Sequence, residues 1–173
     1  MAAPPDSPIL AVDVDGVISL FGFEGPLDEV PGRFRLIDGV AHCISHQAGE
    51  LLNRLGESYE LIWATGWEDR ANDMLPGLLG LPGPLPTLTF DGRARFGTAH
   101  WKLEALEEYS HDRPLAWIDD SLDKSCRDWA AARPAPTLLV QTVSDLGIQE
   151  RHVETLESWA RELGQPNGGD PYT

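Results

Sequence analysis

A handful of side chains in this sequence sit where chemistry could be built. Asp13 and Asp15, separated only by Val14, end the apolar run Ile9-Leu10-Ala11-Val12; Thr65 and Gly66 end YELIWATG; Asp119 and Asp120 end PLAWIDD. Two like charges held so close need a partner. Clustered carboxylates without a neighbouring His or Cys suit a hard, oxygen-seeking divalent ion, and Mg²⁺ with a phosphate ligand is its usual form. With Lys102 to offset charge locally, such a cluster can bind a phosphoryl group, and a carboxylate can itself attack phosphorus to form an aspartyl-phosphate.

The elements that must position these groups follow from periodicity. Short continuous apolar runs read as strands buried on both faces of a parallel sheet. They fall at Ile9–Val12, 59–66, Thr87–Phe90, 114–120 and 136–142. Between them the spacing predicts helices: one from Gly39 with Val40, Ile44, Ala48, Leu51 and Leu55 inward and Gly56 as its stop; a short one from Glu68 with Ala71, Met74 and Leu75 inward, kinked or ended by Pro76. Further helices start near Thr98 (Ala99, Leu103, Leu106), after Asp120 (Leu122, Cys126, Trp129) and before Val153 (Leu156, Trp159, Leu163). The segment 18–38, rich in glycine and proline, reads as a flap or short hairpin. The expected fold is α/β: a doubly wound parallel sheet of about five strands with helices on both faces. Every acidic residue of interest then follows a strand directly, at the carboxyl edge where such sheets bind ligands.

Composition narrows the partners. The chain has 173 residues, enough for one domain core, taken as 1–165 with a flexible tail at 166–173. Its net charge of −15 disfavours extended nucleic acid and acidic lipid. Cys43 and Cys126 offer neither a disulfide framework nor metal-ligand spacing, and no stretch reads as a leader or membrane span; the expectation is a cytoplasmic protein with no membrane partner.

DVDG at 13–16, ATG at 64–66, Lys102 and IDD at 118–120 resemble motifs I to IV of the haloacid dehalogenase (HAD) superfamily, in that family's order, over about Ile9 to Val140. The resemblance implies a Rossmann-like core and a Mg²⁺-dependent phosphatase. Asp13 would be the nucleophile and Asp15 the general acid and base. Thr65, with Gly66 and Trp67 beside it, would bind the phosphoryl group, and Lys102 would neutralise charge. The metal would be held by Asp13, Asp15 through its backbone carbonyl, and Asp119, with Asp120 or Asp123 completing the set; the Asp119-Asp120 form is favoured. Asp15 also separates phosphatases of this type from dehalogenases, which lack an acid there.

Only short insertions occupy the positions where the family carries caps, so an open site is expected. It suits a small phosphate ester, a nucleotide being the best single guess, closed in where needed by a second subunit of a homo-oligomer. The wording WATGWEDRAN and LAWIDD also resembles HAD domains associated with RNA-repair proteins, which makes a nucleic-acid end phosphate an alternative substrate. A catalytically silent metal-binding module and transfer to an acceptor other than water are further alternatives. Arg33, Arg35, Arg70, Arg93 and Arg95 read as solvated surface arginines rather than a basic rim, and Trp63 and Trp117 as core. Trp67 stacks on substrate or packs under the flap. Asp69 stabilises a helix start, and both it and Asn72 lie close enough to meet substrate. The histidines read as surface residues, with His42 and His46 on a helix flank away from the crevice.

Overall fold

The computed structural model describes residues 6–91 and 97–165. Arg93, Arg95 and the tail 166–173 lie outside them. Strands β1 (Ile9–Val12), β5 (Glu60–Trp63), β6 (Leu115–Asp119) and β7 (Thr137–Gln141) form a four-stranded parallel sheet in the order β5-β1-β6-β7. β1 and β6 are buried at every position, as uninterrupted apolar strands between two helical layers must be.

The two faces of this sheet carry separate cores. Leu10, Val12, Leu61, Trp63 and Ile118 pack with α1 (Ala48–Leu55), α2 (Ala71–Leu79) and α5 (Glu150–Leu163). Ile9, Ala11, Ile62, Leu115 and Trp117 pack with α3 (Leu103–Ser110) and α4 (Lys124–Ala132). Alternation along each strand assigns successive residues to opposite layers. The result is a Rossmann-like α/β layer arrangement.

The expected fifth parallel strand is reduced to one bridge. Trp63 pairs with Thr87, its N–H bonding the Pro86 carbonyl and its own carbonyl accepting from Leu88. The prolines around it remove the donors that a longer ladder needs.

Residues 40–45 depart furthest from expectation. They are β4 (Val40–Ser45), paired antiparallel with β3 (Gly32–Ile37) and with β2 (Ser19–Leu20), giving a separate three-stranded sheet in the order β2-β4-β3. The hinge is Asp38-Gly39, both at positive φ, which joins Ile37 directly to its partner Val40. A two-residue turn of that conformation matches the twist of a hairpin. The helix starts only at Ala48, and Val40 is exposed. The flap is thus a folded sheet that continues to Ser45.

Two smaller corrections concern α2. Met74 faces solvent, and Pro76 lies inside the helix, which ends instead at left-handed Gly80. Pro76, the sixth residue of α2, forgoes the bond that an amide there would make to the Asn72 carbonyl, and the helix continues past it. Asn72, considered above as a substrate neighbour, has a structural task. Its carboxamide oxygen accepts from Trp63 Nε1 and the Leu85 amide, both at 2.9 Å, and its nitrogen donates to the Leu85 carbonyl at 2.8 Å. It thereby pins the 81–90 segment to α2 and β5. Asn72→Ala strands two donors and an acceptor and is expected to cost about 2–4 kcal/mol in urea unfolding; a loss below about 0.5 kcal/mol would show that water replaces the side chain.

Candidate active site

Register brings the acids together. Val12 pairs with Trp63 on one side and Ile118 on the other, so Asp13, Ala64 and Asp119 follow at one level on adjacent strands. Thr65, fully buried, comes one residue later. Lys102 arrives from the opposite layer, at the end of a 3₁₀ turn (Ala99–Lys102) that leads into α3.

The Lys102 ammonium lies 3.0 Å from Asp13 Oδ1 and 2.6 Å from Asp119 Oδ2. All three are buried: 3% of Lys102, 7% of Asp13 and 1% of Asp119 remain accessible. Burial alone would depress the lysine, but the two carboxylates more than reverse this and raise it above its ordinary value. Burial also pushes the Asp13 carboxyl up, to about 7, with Lys102 pulling down and Asp119 pushing up again. Asp120 is raised as well, chiefly by burial.

Carboxylate oxygens of Asp13, Asp119 and Asp120 lie within 4.8 Å of one another. One ammonium cannot balance three carboxylates, and the donors are all oxygen, so the residues fit a hard divalent cation. Gly16 makes room for the third acid. It sits at φ +75°, and a Cβ there would fall 2.3 Å from Asp120 Cγ. The Gly16 carbonyl accepts from Thr142 Oγ1 at 2.7 Å, which fixes this turn against β7's end. Asp123 is otherwise engaged: it caps α4, accepting from the Cys126 amide and from Ser125 and Thr98 hydroxyls. These bonds hold its carboxyl well below the usual range. Of the two residues considered for the fourth position, Asp120 is the one that joins the cluster.

Asp15 stands apart from the triad. It is exposed, and its Oδ2 accepts a 2.9 Å hydrogen bond from the Trp67 indole. Trp67 in turn packs edge-on against His42, with ring centroids 4.7 Å apart, and His42 Nδ1 shares a 2.9 Å hydrogen bond with Ser19 Oγ. His42 therefore lies on β4 beside the cleft, contrary to the helix-flank expectation, because the segment is a strand. The Trp67 amide donates to Thr65 Oγ1 at 3.2 Å, so one residue touches both the threonine and the second acid. Asp69 is exposed and lies within 3.4 Å of the Asn72 amide nitrogen.

The cleft over these groups has a volume of about 190 Å³, room for a phosphoryl group and a small part of its ester. Phe21 and Trp101 line it, together with Thr98 and Ser121. Sequence reasoning missed all four. Trp101 adjoins Lys102, but nothing in the spacing marks Phe21, which reaches the cleft through the turn from Asp15 to Ser19. Asp119 Oδ1 accepts from the Ser121 amide at 2.9 Å, leaving its other oxygen to Lys102.

The raised Asp13 carboxyl has a consequence for stability. The folded chain holds this proton up to about 7, against 3.8 for the free side chain. It therefore binds more protons than the unfolded chain across that window, and the contribution of Asp13 to stability falls as pH rises through it. In EDTA, Asp13→Asn is expected to be more stable than wild type at pH 8 by roughly 1–3 kcal/mol, the gap narrowing towards pH 4. Equal urea midpoints at pH 8 would show that Lys102 already compensates Asp13 in full. No protein-family model and no curated protein matches this chain.

Proposed function

We propose that this protein is a Mg²⁺-dependent phosphomonoester hydrolase of the haloacid dehalogenase type, acting on a small phosphate ester such as a nucleotide. The observation that carries this reading is the buried Asp13–Lys102–Asp119 bridge with a second, exposed acid two residues after Asp13. Structural ion pairs at a strand end need no such second acid. The motif order DVDG, ATG, Lys102 and IDD supports the same assignment.

In this reading Asp13 attacks phosphorus with a carboxylate oxygen. The P–O bond to the leaving group breaks, and Asp15 gives its proton to the departing oxygen. Asp15 then takes a proton from water, whose oxygen attacks the aspartyl-phosphate; phosphate leaves and Asp13 is restored. Thr65 and the amides after it hold the phosphoryl oxygens, and Lys102 offsets charge on Asp13 and on the group in transfer. Mg²⁺, held by Asp13, Asp119 and Asp120, with the Asp15 carbonyl as the family resemblance implies, would supply neutralisation of the phosphoryl charge.

Trp67 is a positioning residue here. Its indole N–H limits Asp15 to one orientation while leaving the second carboxylate oxygen, Oδ1, for the proton.

Phosphate release from nucleoside monophosphates, sugar phosphates and phosphorylated oligonucleotides, with Mg²⁺ and with EDTA, tests the assignment. EDTA-sensitive release that falls by at least about 10³-fold in Asp13→Asn is the expected result. Retained metal-dependent turnover in that variant would sink the covalent mechanism. Silence across the panel from protein that still binds Mg²⁺ would favour a metal-binding module without turnover.

A finer variant is Trp67→Phe, which keeps a ring against His42 and removes the indole N–H. Its kcat is expected to fall about tenfold, with KM within about twofold. An unchanged kcat would reduce Trp67 to packing.

A further inference from the structure

Arg33 and Arg35 lie two apart on β3 and leave the same face of the antiparallel sheet. With Ile44, Ser45, His46 and Leu78 they line a recess of about 260 Å³. Among the described residues, neither arginine makes an ion pair or a side-chain hydrogen bond. That is informative on a chain with 28 acidic side chains and a net charge of −15. Arg54 clamps Glu150 and Glu157, Arg113 holds Glu60, and Arg70 reaches Asp38 at 3.5 Å. Arg127, Arg151 and Arg161 likewise make no ion pair among the described residues, but Arg33 and Arg35 are neighbours over one recess, and Ile44 and Leu78 supply its apolar lining.

Guanidinium forks recognise the oxygens of a phosphate by paired donors. Two of them and one imidazole match a single dianion, while the acidic surface beyond repels a longer polyanion. The place of the recess ties it to the cleft. Arg35 is the cross-strand partner of His42; His42 packs on Trp67; Trp67 holds Asp15. Three contacts thus separate Arg35 from the second acid, a span on the order of 10–15 Å.

We propose that the Arg33–Arg35–His46 recess binds a second phosphate, carried by the same substrate whose other phosphate meets Asp13. The preferred substrates are then phosphomonoesters with a further phosphate at that distance. The word substrate rests on the phosphatase reading; binding of phosphate by the recess does not.

The first experiment needs no turnover. Inorganic phosphate is titrated into the full chain in EDTA while backbone amide resonances are followed. Saturable shifts are expected at Arg33, Arg35, Ile44 and Leu78, and they are expected to vanish in Arg33→Gln/Arg35→Gln, whose spectrum elsewhere reports that it is folded. No shifts at these residues, or shifts that persist in the double variant, would overturn the site.

The second experiment identifies the source of the phosphate. Alkanediol bisphosphates of increasing chain length are compared with the matching alkyl monophosphates. In wild type, KM for a bisphosphate of suitable length is expected to be at least about tenfold lower, roughly the effect of one charge-assisted contact. The double variant is expected to lose that preference, whereas the same charge change at Arg127 and Arg151 keeps it. Phosphate binding without any bisphosphate preference would overturn the same-substrate claim and assign the recess to free phosphate. If neither ester is hydrolysed, the titration still decides the recess, and the failure belongs to the phosphatase reading.

Discussion

Lys102 between Asp13 and Asp119 is the interaction around which the site is organised. A buried ammonium is costly unless carboxylates are held fixed beside it. Here the partners sit at equivalent levels of adjacent parallel strands, so the β1–β6 register is a condition for the bridge. The lysine comes from the layer of α3 and α4, and its position depends on the 3₁₀ turn before α3 and on Ala99, whose amide bonds the Ser121 carbonyl. Sheet, turn and helix are thus locked at one point.

The bridge leaves the site negative. Asp120 and Asp15 add charge that Lys102 cannot offset, and Gly16 keeps Asp120 close by providing neither a Cβ nor a φ that other residues readily adopt. Like charges held this close by the fold are unfavourable in isolation, and the residues fit an oxygen-seeking cation. The separate antiparallel sheet serves it from the side. It brings His42 against Trp67, which restrains the one acid that remains exposed. The sheet that would otherwise be a flap is thereby connected to the chemistry through a single aromatic contact.

Much of this was legible in the chain. Runs such as ILAV and LAWID admit few alternatives, and an acid directly after each can lie only at the carboxyl edge of a parallel sheet. The helix faces of α3, α4 and α5 were readable for the same reason, since Leu106, Cys126, Val153 and Leu156 recur at helical spacing and are buried. The error at 40–45 has a clear origin. Val40 and Ile44 are four apart, which satisfies a helical face and a two-residue alternation equally well, and the Asp38-Gly39 turn signal was the feature that distinguished them. TLTF failed differently: its composition suits a strand, but flanking prolines limit its ladder to one bridge.

The sequence by itself determined which residues end the buried strands, because burying an aspartate mid-strand is prohibitive, and so it determined that Asp13, Thr65 and Asp119 share an edge. It also determined the excess of acid over base that the strand-end cluster shares. Only the tertiary structure decided which of Asp120 and Asp123 joins the cluster, since that depends on whether the carboxylate is consumed in capping α4. It alone decided that Trp67 reaches Asp15 and that Arg33 and Arg35 remain unpaired. Those outcomes rest on distances of a few ångströms between segments far apart in the chain, and local periodicity carries no information about them.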